Sequence, residues 1–155
     1  MVIRSQLDKD TIYTAPTKYY CRIRLANQML NIASSSWVKV LLDTDVTDED
    51  NISDLPNNRI VIPTNGYYMI GGGLAILNSD ADIRISVGLF RYGTLIQQSE
   101  VQKSITGYTT WCITSMAYLA SGGFYLYAWN NAAGATTDIA QSVNTNLWLY
   151  GPLDL

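Results

Sequence analysis

The segment Arg59-Ile-Val-Ile-Pro-Thr-Asn-Gly-Tyr-Tyr-Met-Ile-Gly-Gly-Gly-Leu-Ala-Ile76 predicts a strand, a turn and a second strand. The β-branched run at 60–62 suits a half-buried pleated surface. Pro63 ends this run because it has no N–H to donate to a ladder, and 64–66 supplies turn residues. The segment is therefore typical of an all-β fold.

The second strand, which begins at Tyr67, has two distinct faces and three central glycines, Gly71 to Gly73. Glycine weakens a strand unless another backbone or chain must come close, so these glycines indicate a close approach. Alternation at period two divides the strand into one face with Tyr68, Ile70, Leu74 and Ile76 and another with Tyr67, Met69 and Ala75.

The rest of the chain reads as short strands separated by turns at intervals of roughly ten residues, a pattern that specifies a two-sheet antiparallel sandwich or jelly roll. Ile83 to Leu89 alternates cleanly between apolar and polar residues. An edge strand is expected at 95–101 because it is polar, and a covered central strand at 109–119 because it is apolar on both faces. Further strands are expected at 19–25, 37–42, 124–130 and about 139–150, while Leu25, Met29, Ile32 and Ala33 also fit helical spacing and leave a short helix open.

Composition limits the classes of function. A chain of 155 residues that is 48% hydrophobic can form one domain with a single core. The net charge of -3 and the lack of a basic stripe argue against nucleic-acid binding. No run of 18 apolar residues exists that would insert into a membrane. Composition therefore argues against nucleic acid and membrane insertion and favours a binding or assembly protein.

The residues that most enzymes use are missing or poorly arranged. The chain has no histidine, which removes Ser-His-Asp and Cys-His arrangements and the usual zinc ligands. Asp80 and Asp82 are a carboxylate pair, but acids that flank a turn are usually solvated. The acidic loop 43–54 offers calcium ligands without EF-hand spacing. We expect no enzyme activity, no metal and no cofactor, and we treat Cys21 and Cys112 as free thiols.

Residues 1–18 form a polar stretch that ends in Thr-Ala-Pro-Thr-Lys, and they are expected to be an extended N-terminal arm. A jelly-roll domain is expected over 19–155. The arm carries scattered apolar positions that suit docking on a partner. These positions are Ile3, Leu7, Ile12 and Tyr13.

Five short motifs, in this order, resemble the C1q/TNF-like jelly-roll domain over roughly residues 20 to 152. They are Trp37-Val-Lys-Val before an acidic loop, Arg59-Ile-Val-Ile-Pro-x-x-Gly-Tyr-Tyr, Val87-Gly-Leu-Phe followed by Tyr92-Gly93, Tyr118-Leu-Ala-Ser-Gly-Gly-Phe-Tyr-Leu, and Leu147-Trp-Leu-Tyr-Gly-Pro-Leu.

The resemblance implies a two-sheet jelly roll that assembles into a homotrimer with aromatic residues around the threefold axis. Tyr68, Tyr118 and Trp148 match family positions that would line the trimer centre, and Gly72 would face a neighbouring chain. The alternative is that these residues belong to the core of a single chain.

Family members with a short arm, no secretion signal and no collagen-like stalk resemble bacteriophage proteins. The leading hypothesis is a virion structural protein, either a capsid decoration (cement) protein or a head fibre. Its arm would dock on the major capsid protein or a fibre stalk. The alternative is a receptor- or glycan-binding tip of a tail fibre or another C1q-like recognition module, in which Trp111, Trp129 and Tyr108 could stack on sugars if exposed.

Overall fold

The computed structural model describes residues 17–29, 32, 35–78, 83–103, 107–131 and 137–154. Strands that pair antiparallel make up nearly all of the regular structure in these ranges, and none of their helical residues forms a helix long and apolar enough to cross a membrane. The strands are β1 (Tyr19–Leu25), β2 (Val38–Lys39), β3 (Thr44–Asp48), β4 (Ser53–Asp54), β5 (Arg59–Ile62), β6 (Gly66–Asn78), β7 (Ile83–Arg91), β8 (Thr94–Lys103), β9 (Gly107–Leu119), β10 (Gly122–Asn130), β11 (Thr137–Ile139) and β12 (Ser142–Gly151), with a short 3-10 helix at Leu55–Asn57.

The strands form two sheets that face each other. Sheet A has the order β3-β1-β12-β6-β9, and β11 continues along the same edge of β6 beyond β12. Sheet B has the order β4-β5-β10-β7-β8, with β2 paired to β10. The two-sheet antiparallel sandwich expected from the sequence is confirmed.

Strand β6 supplies the centre of sheet A. It pairs with β9 along its whole length and with β12 and β11 on its other side. The face with Tyr68, Ile70 and Leu74 points into the space between the sheets, and these side chains have no exposed surface. The Tyr68 hydroxyl donates to the Thr64 carbonyl oxygen at 2.9 Å, and burial raises the pKa of Tyr68.

Because this face points into the core, the predicted interface roles of Tyr68 and Gly72 need correction. Tyr68 has no exposed surface within a single chain, so it cannot contact a neighbouring one. A Cβ atom added at Gly72 would lie 2.6 Å from Cδ1 of Leu126 in the opposite sheet. The prediction that Tyr68 and Gly72 line an interface between chains is therefore wrong, because alternation separates the two faces of a strand without saying which one is the core.

Other strands agree with the sequence to different degrees. β7, β10 and the edge strand β8 are confirmed, and the strand at 19–25 is β1. Met29 forms a β-bridge with Ile139 where a helix had been left open. The predicted strand at 37–42 pairs only at Val38–Lys39, and the predicted last strand is divided into β11 and β12.

Two further predictions are wrong. β9 is an edge strand and not a covered central one, since β6 is its only partner among the described strands and its even-numbered side chains are exposed. The acidic segment 43–54 contains strands β3 and β4 and is not simply a loop. Asp80, Asp82 and residues 1–16 of the expected arm, with Ile3, Leu7, Ile12 and Tyr13, lie outside the described residues.

We expect Gly72→Leu to destabilise the folded chain, because Cδ1 of Leu126 and Cδ2 of Leu89 occupy the space that the new side chain needs. Overpacking of this kind typically lowers the free energy of unfolding by about 1–3 kcal/mol. Urea unfolding followed by circular dichroism measures the change. Thr94→Leu, at an exposed position of β8 in the other sheet, is the control and should stay within about 0.5 kcal/mol of the wild type. An unchanged midpoint for Gly72→Leu would contradict the inward direction.

Candidate functional site

The outer face of sheet A carries two rows of exposed aromatic and methionine side chains, which we call the aromatic rows. Tyr67 lies opposite Tyr118, and their rings meet edge to face with centroids 5.3 Å apart. Soluble chains rarely expose a contiguous apolar patch of this kind without a binding function. The second row crosses four strands through Tyr20, Tyr150, Met69 and Met116, each between 38% and 58% exposed.

The next row of the same face runs from Arg22 through Trp148 and Gly71 to Thr114. The Trp148 indole lies across Gly71, where an added Cβ would overlap the ring. A Cβ at Gly73 would overlap the carbonyl oxygen of Asn144. A groove of about 520 Å³ lies beside Trp148 on this face, lined also by Gly73, Arg22 and Cys112.

The structure places two of the predicted interface residues on this face. Tyr118 is 60% exposed and Trp148 is half-buried, and their place in an interface between chains stays a prediction. Tyr20, Met69 and Met116 are exposed on the same face and were not among the predicted interface residues. They could have been found from the alternation of side chains along each strand. Once one inward residue of a strand is known, the residues next to it, and every second residue from those, lie on the outer face.

The two cysteines lie on opposite sides of sheet A and both are free. Cys21 points into the core, and burial raises the pKa of its thiol strongly. Cys112 lies on the outer face beside the groove and is exposed. A disulfide between them is incompatible with this arrangement, because a bridge requires Cβ atoms about 4 Å apart that point toward each other.

The three aromatic residues considered for sugar stacking have separate environments. Trp111 points between the sheets, where its Nε1–H donates to Oγ of Ser99 at 3.0 Å and so links the open edges of the two sheets. Tyr108 is 54% exposed on sheet A, and its hydroxyl bonds Ser142. Trp129 is half-buried on the outer face of sheet B.

Three carboxylates of the acidic segment, those of Asp43, Asp48 and Asp54, accept hydrogen bonds that fix the surrounding chain. Asp43 accepts from the backbone N–H of Ala26 at 2.7 Å, and Asp48 accepts from two backbone N–H groups at 2.8 and 2.9 Å. Asn57 and Arg59 donate to Asp54, and these bonds lower the pKa of its carboxyl. Within the described residues, no group of three or more acids or cysteines could hold a metal ion.

Two solved structures superpose on this chain and identify its fold. Eiger TNF from S. frugiperda superposes with a TM-score of 0.62 at 10% sequence identity, covering 89% of this chain and 93% of that one. Murine APRIL at pH 8.5 gives 0.62 at 11% identity, with 88% and 100% covered. The chain has the TNF-like jelly-roll fold. No protein-family model and no curated protein sequence matches it.

The hydrogen bond between Trp111 and Ser99 joins the edge strand β9 of sheet A to the edge strand β8 of sheet B. We expect Trp111→Phe and Ser99→Ala each to lower the free energy of unfolding, Ser99→Ala by about 1 kcal/mol, because a hydrogen bond of this kind contributes about that amount. Denaturant unfolding of the two single variants and the double variant measures the coupling, expected at about 0.5–1.5 kcal/mol. Additive effects would mean that the bond does not stabilise the sandwich.

Proposed function

We propose that this chain is a non-enzymatic TNF-like module that assembles as a homotrimer through the outer face of sheet A. The observation that carries the proposal is the pair of aromatic rows. Their side chains come from β1, β12, β6 and β9, so they form one continuous surface. A cyclic trimer covers such a surface on every copy because each chain presents the same face to the axis.

The energetic argument rests on exposed apolar area. Met116 is 58% exposed and Met69, directly opposite it, is 42% exposed. Burial of a side chain of this size is worth about 1.5–3 kcal/mol when it is complete. The aromatic rows also carry hydrogen-bonding groups, because Tyr20, Tyr118 and Tyr150 each have a hydroxyl. Such amphipathic rings are the residue types that interfaces favour.

We expect Met116→Glu to abolish or weaken the trimer. Sedimentation equilibrium of the wild type should give three times the chain mass of 17.2 kDa. The variant should dissociate with a dissociation constant raised at least about 100-fold, since each tenfold corresponds to about 1.4 kcal/mol and the change loses apolar burial and adds a desolvated charge.

The matched control is Leu41→Glu, which also replaces an exposed large apolar residue, 48% exposed, but lies outside the strands of sheet A. It should leave the trimer intact. A wild type that sediments as a monomer or dimer would overturn the trimer, and equal effects of the two substitutions would overturn the assignment of the face.

We further propose that the trimer is a virion structural protein, a capsid decoration or head-fibre protein that is attached through residues 1–18. The support is the sequence resemblance together with the scattered apolar positions of this polar-rich stretch, among them Ile3, Leu7, Ile12 and Tyr13. The partner of that arm would be the major capsid protein or a fibre stalk.

Deletion of residues 1–18 tests the attachment. The deletion removes Lys18, whose ion pair with Asp154 is exposed at both ends, so the domain should remain folded. A truncated trimer that no longer co-sediments with particles supports the proposal. A truncated protein that binds particles as well as the full chain overturns it, whereas a truncated protein that loses the trimer would assign the arm to assembly.

A further inference from the structure

The outer face of sheet B presents a cluster of aromatic and polar side chains that assembly through sheet A leaves uncovered. Trp129 on β10 lies opposite Ser86 on β7, and Ser86 lies opposite Glu100 on β8. Neighbouring strands are about 4.8 Å apart, so this row spans about 10 Å. We define the Trp129 patch as Trp129, Arg84, Gln98, Glu100 and Gln102. Arg84 lies opposite Gln102, and Gln98 lies one row away on the other side, opposite Gly88.

Trp129 differs from the other aromatic residues of this face. Phe90 packs against Trp37 and Tyr127, with ring centroids 5.2 and 4.5 Å apart, and Tyr127 also contacts Tyr125. These four rings support one another, and those of Phe90 and Trp37 cover Gly88, so the cluster is structural. Among the described residues, Trp129 forms no ring contact and no residue accepts a hydrogen bond from its indole N–H.

The polar members of the patch have unused hydrogen-bonding capacity. Glu100 is exposed and accepts one bond, from Oγ of Ser86 at 3.1 Å, through only one of its two oxygens. Gln98 and Gln102 are exposed on the same strand. Within the described part of the chain, neither Arg84 nor Glu100 forms an ion pair. The patch therefore offers a carboxylate, two carboxamides and a guanidinium beside a ring.

The chemistry of this set selects its ligand. One carboxylate is too few for a metal ion, and one arginine beside a glutamate does not attract a polyanion. The charges of Arg84 and Glu100 cancel, which favours a neutral ligand. A sugar ring has an apolar C–H face that stacks on an aromatic ring, and hydroxyls that donate to a carboxylate and exchange bonds with carboxamides. We propose that the Trp129 patch binds a neutral saccharide.

The saccharide site does not depend on the trimer. It lies on sheet B, whereas the aromatic rows lie on sheet A, so a monomeric variant such as Met116→Glu keeps the patch. Failure of the site and failure of the trimer are therefore distinguishable. The site would give a TNF-like module a second contact, with a glycan-bearing surface, while the other face holds the copies together.

The probe is a panel of immobilised neutral oligosaccharides built from glucose, galactose, mannose and N-acetylglucosamine, together with sulfated and sialylated counterparts. The full chain is tested against the panel, and the strongest neutral binder is titrated by calorimetry. We expect Trp129→Ala and Glu100→Gln each to raise the dissociation constant at least tenfold, and Trp129→Phe to give a smaller loss because it keeps a stacking ring.

Two matched controls separate the patch from other surface groups. Tyr108→Ala removes an exposed aromatic residue from sheet A, and Glu49→Gln neutralises an exposed acid outside the patch. Both should keep the dissociation constant within about twofold of the wild type. Glu100→Gln tests the proposal without disturbing the fold, because Glu100 is exposed on an edge strand.

Three results would overturn the proposal. The first is that no neutral oligosaccharide binds at millimolar concentration. The second is that only the sulfated or sialylated sugars bind, which would assign an anionic ligand. The third is that a neutral sugar binds equally well to the wild type, Trp129→Ala and Glu100→Gln, which would place its site elsewhere on the chain.

Discussion

The pairing of β6 with three other strands is the constraint on which the rest of the structure depends. β9 pairs with all thirteen residues of β6, and β12 and β11 pair along its opposite edge. Because neighbouring residues in a sheet share a face, the inward direction of Tyr68 and Leu74 determines which side chains of β9 and β12 are buried. A slip of one residue would exchange the core for the aromatic rows, so both surfaces depend on one register.

This register also divides the molecule into two surfaces of different character. The outer face of sheet A is apolar around Met69 and Met116, whereas the outer face of sheet B has a structural aromatic cluster and a mixed polar margin. Apolar surface is suited to permanent burial, and a polar surface with one ring is suited to reversible contact. The fold can therefore serve assembly and recognition at once, without competition between the two proposed sites.

Much of the fold could be predicted from local patterns, and its errors have a common physical cause. The alternation of Ile83 to Leu89 predicted β7, and Pro63 marked the end of β5, because both signals act within a few residues. The direction of Tyr68 could not be predicted, since a tyrosine suits a core when its hydroxyl finds a partner such as Thr64 and suits an interface otherwise.

The same limit applies to longer distances in the sequence. β9 mixes apolar residues with threonine and serine on both faces, and only the packing of sheet A against sheet B decides which face is inward. Asp43 bonds the backbone of Ala26, seventeen residues away, so its structural role was not visible in the acidic run. The aromatic rows bring together residues from β1 to β12, which sequence order separates by more than a hundred positions.

The free edge of sheet A at β3 carries acids, and this has a consequence for aggregation. An unpaired strand is a template on which a second chain can add its own strand, and charged side chains on the edge oppose that addition. Asp45 on β3 and Glu49 just beyond it are exposed, so two such edges repel each other at neutral pH. In the described part of the chain, the edge at β3 therefore carries charge that opposes the addition of a second strand and so opposes fibre growth.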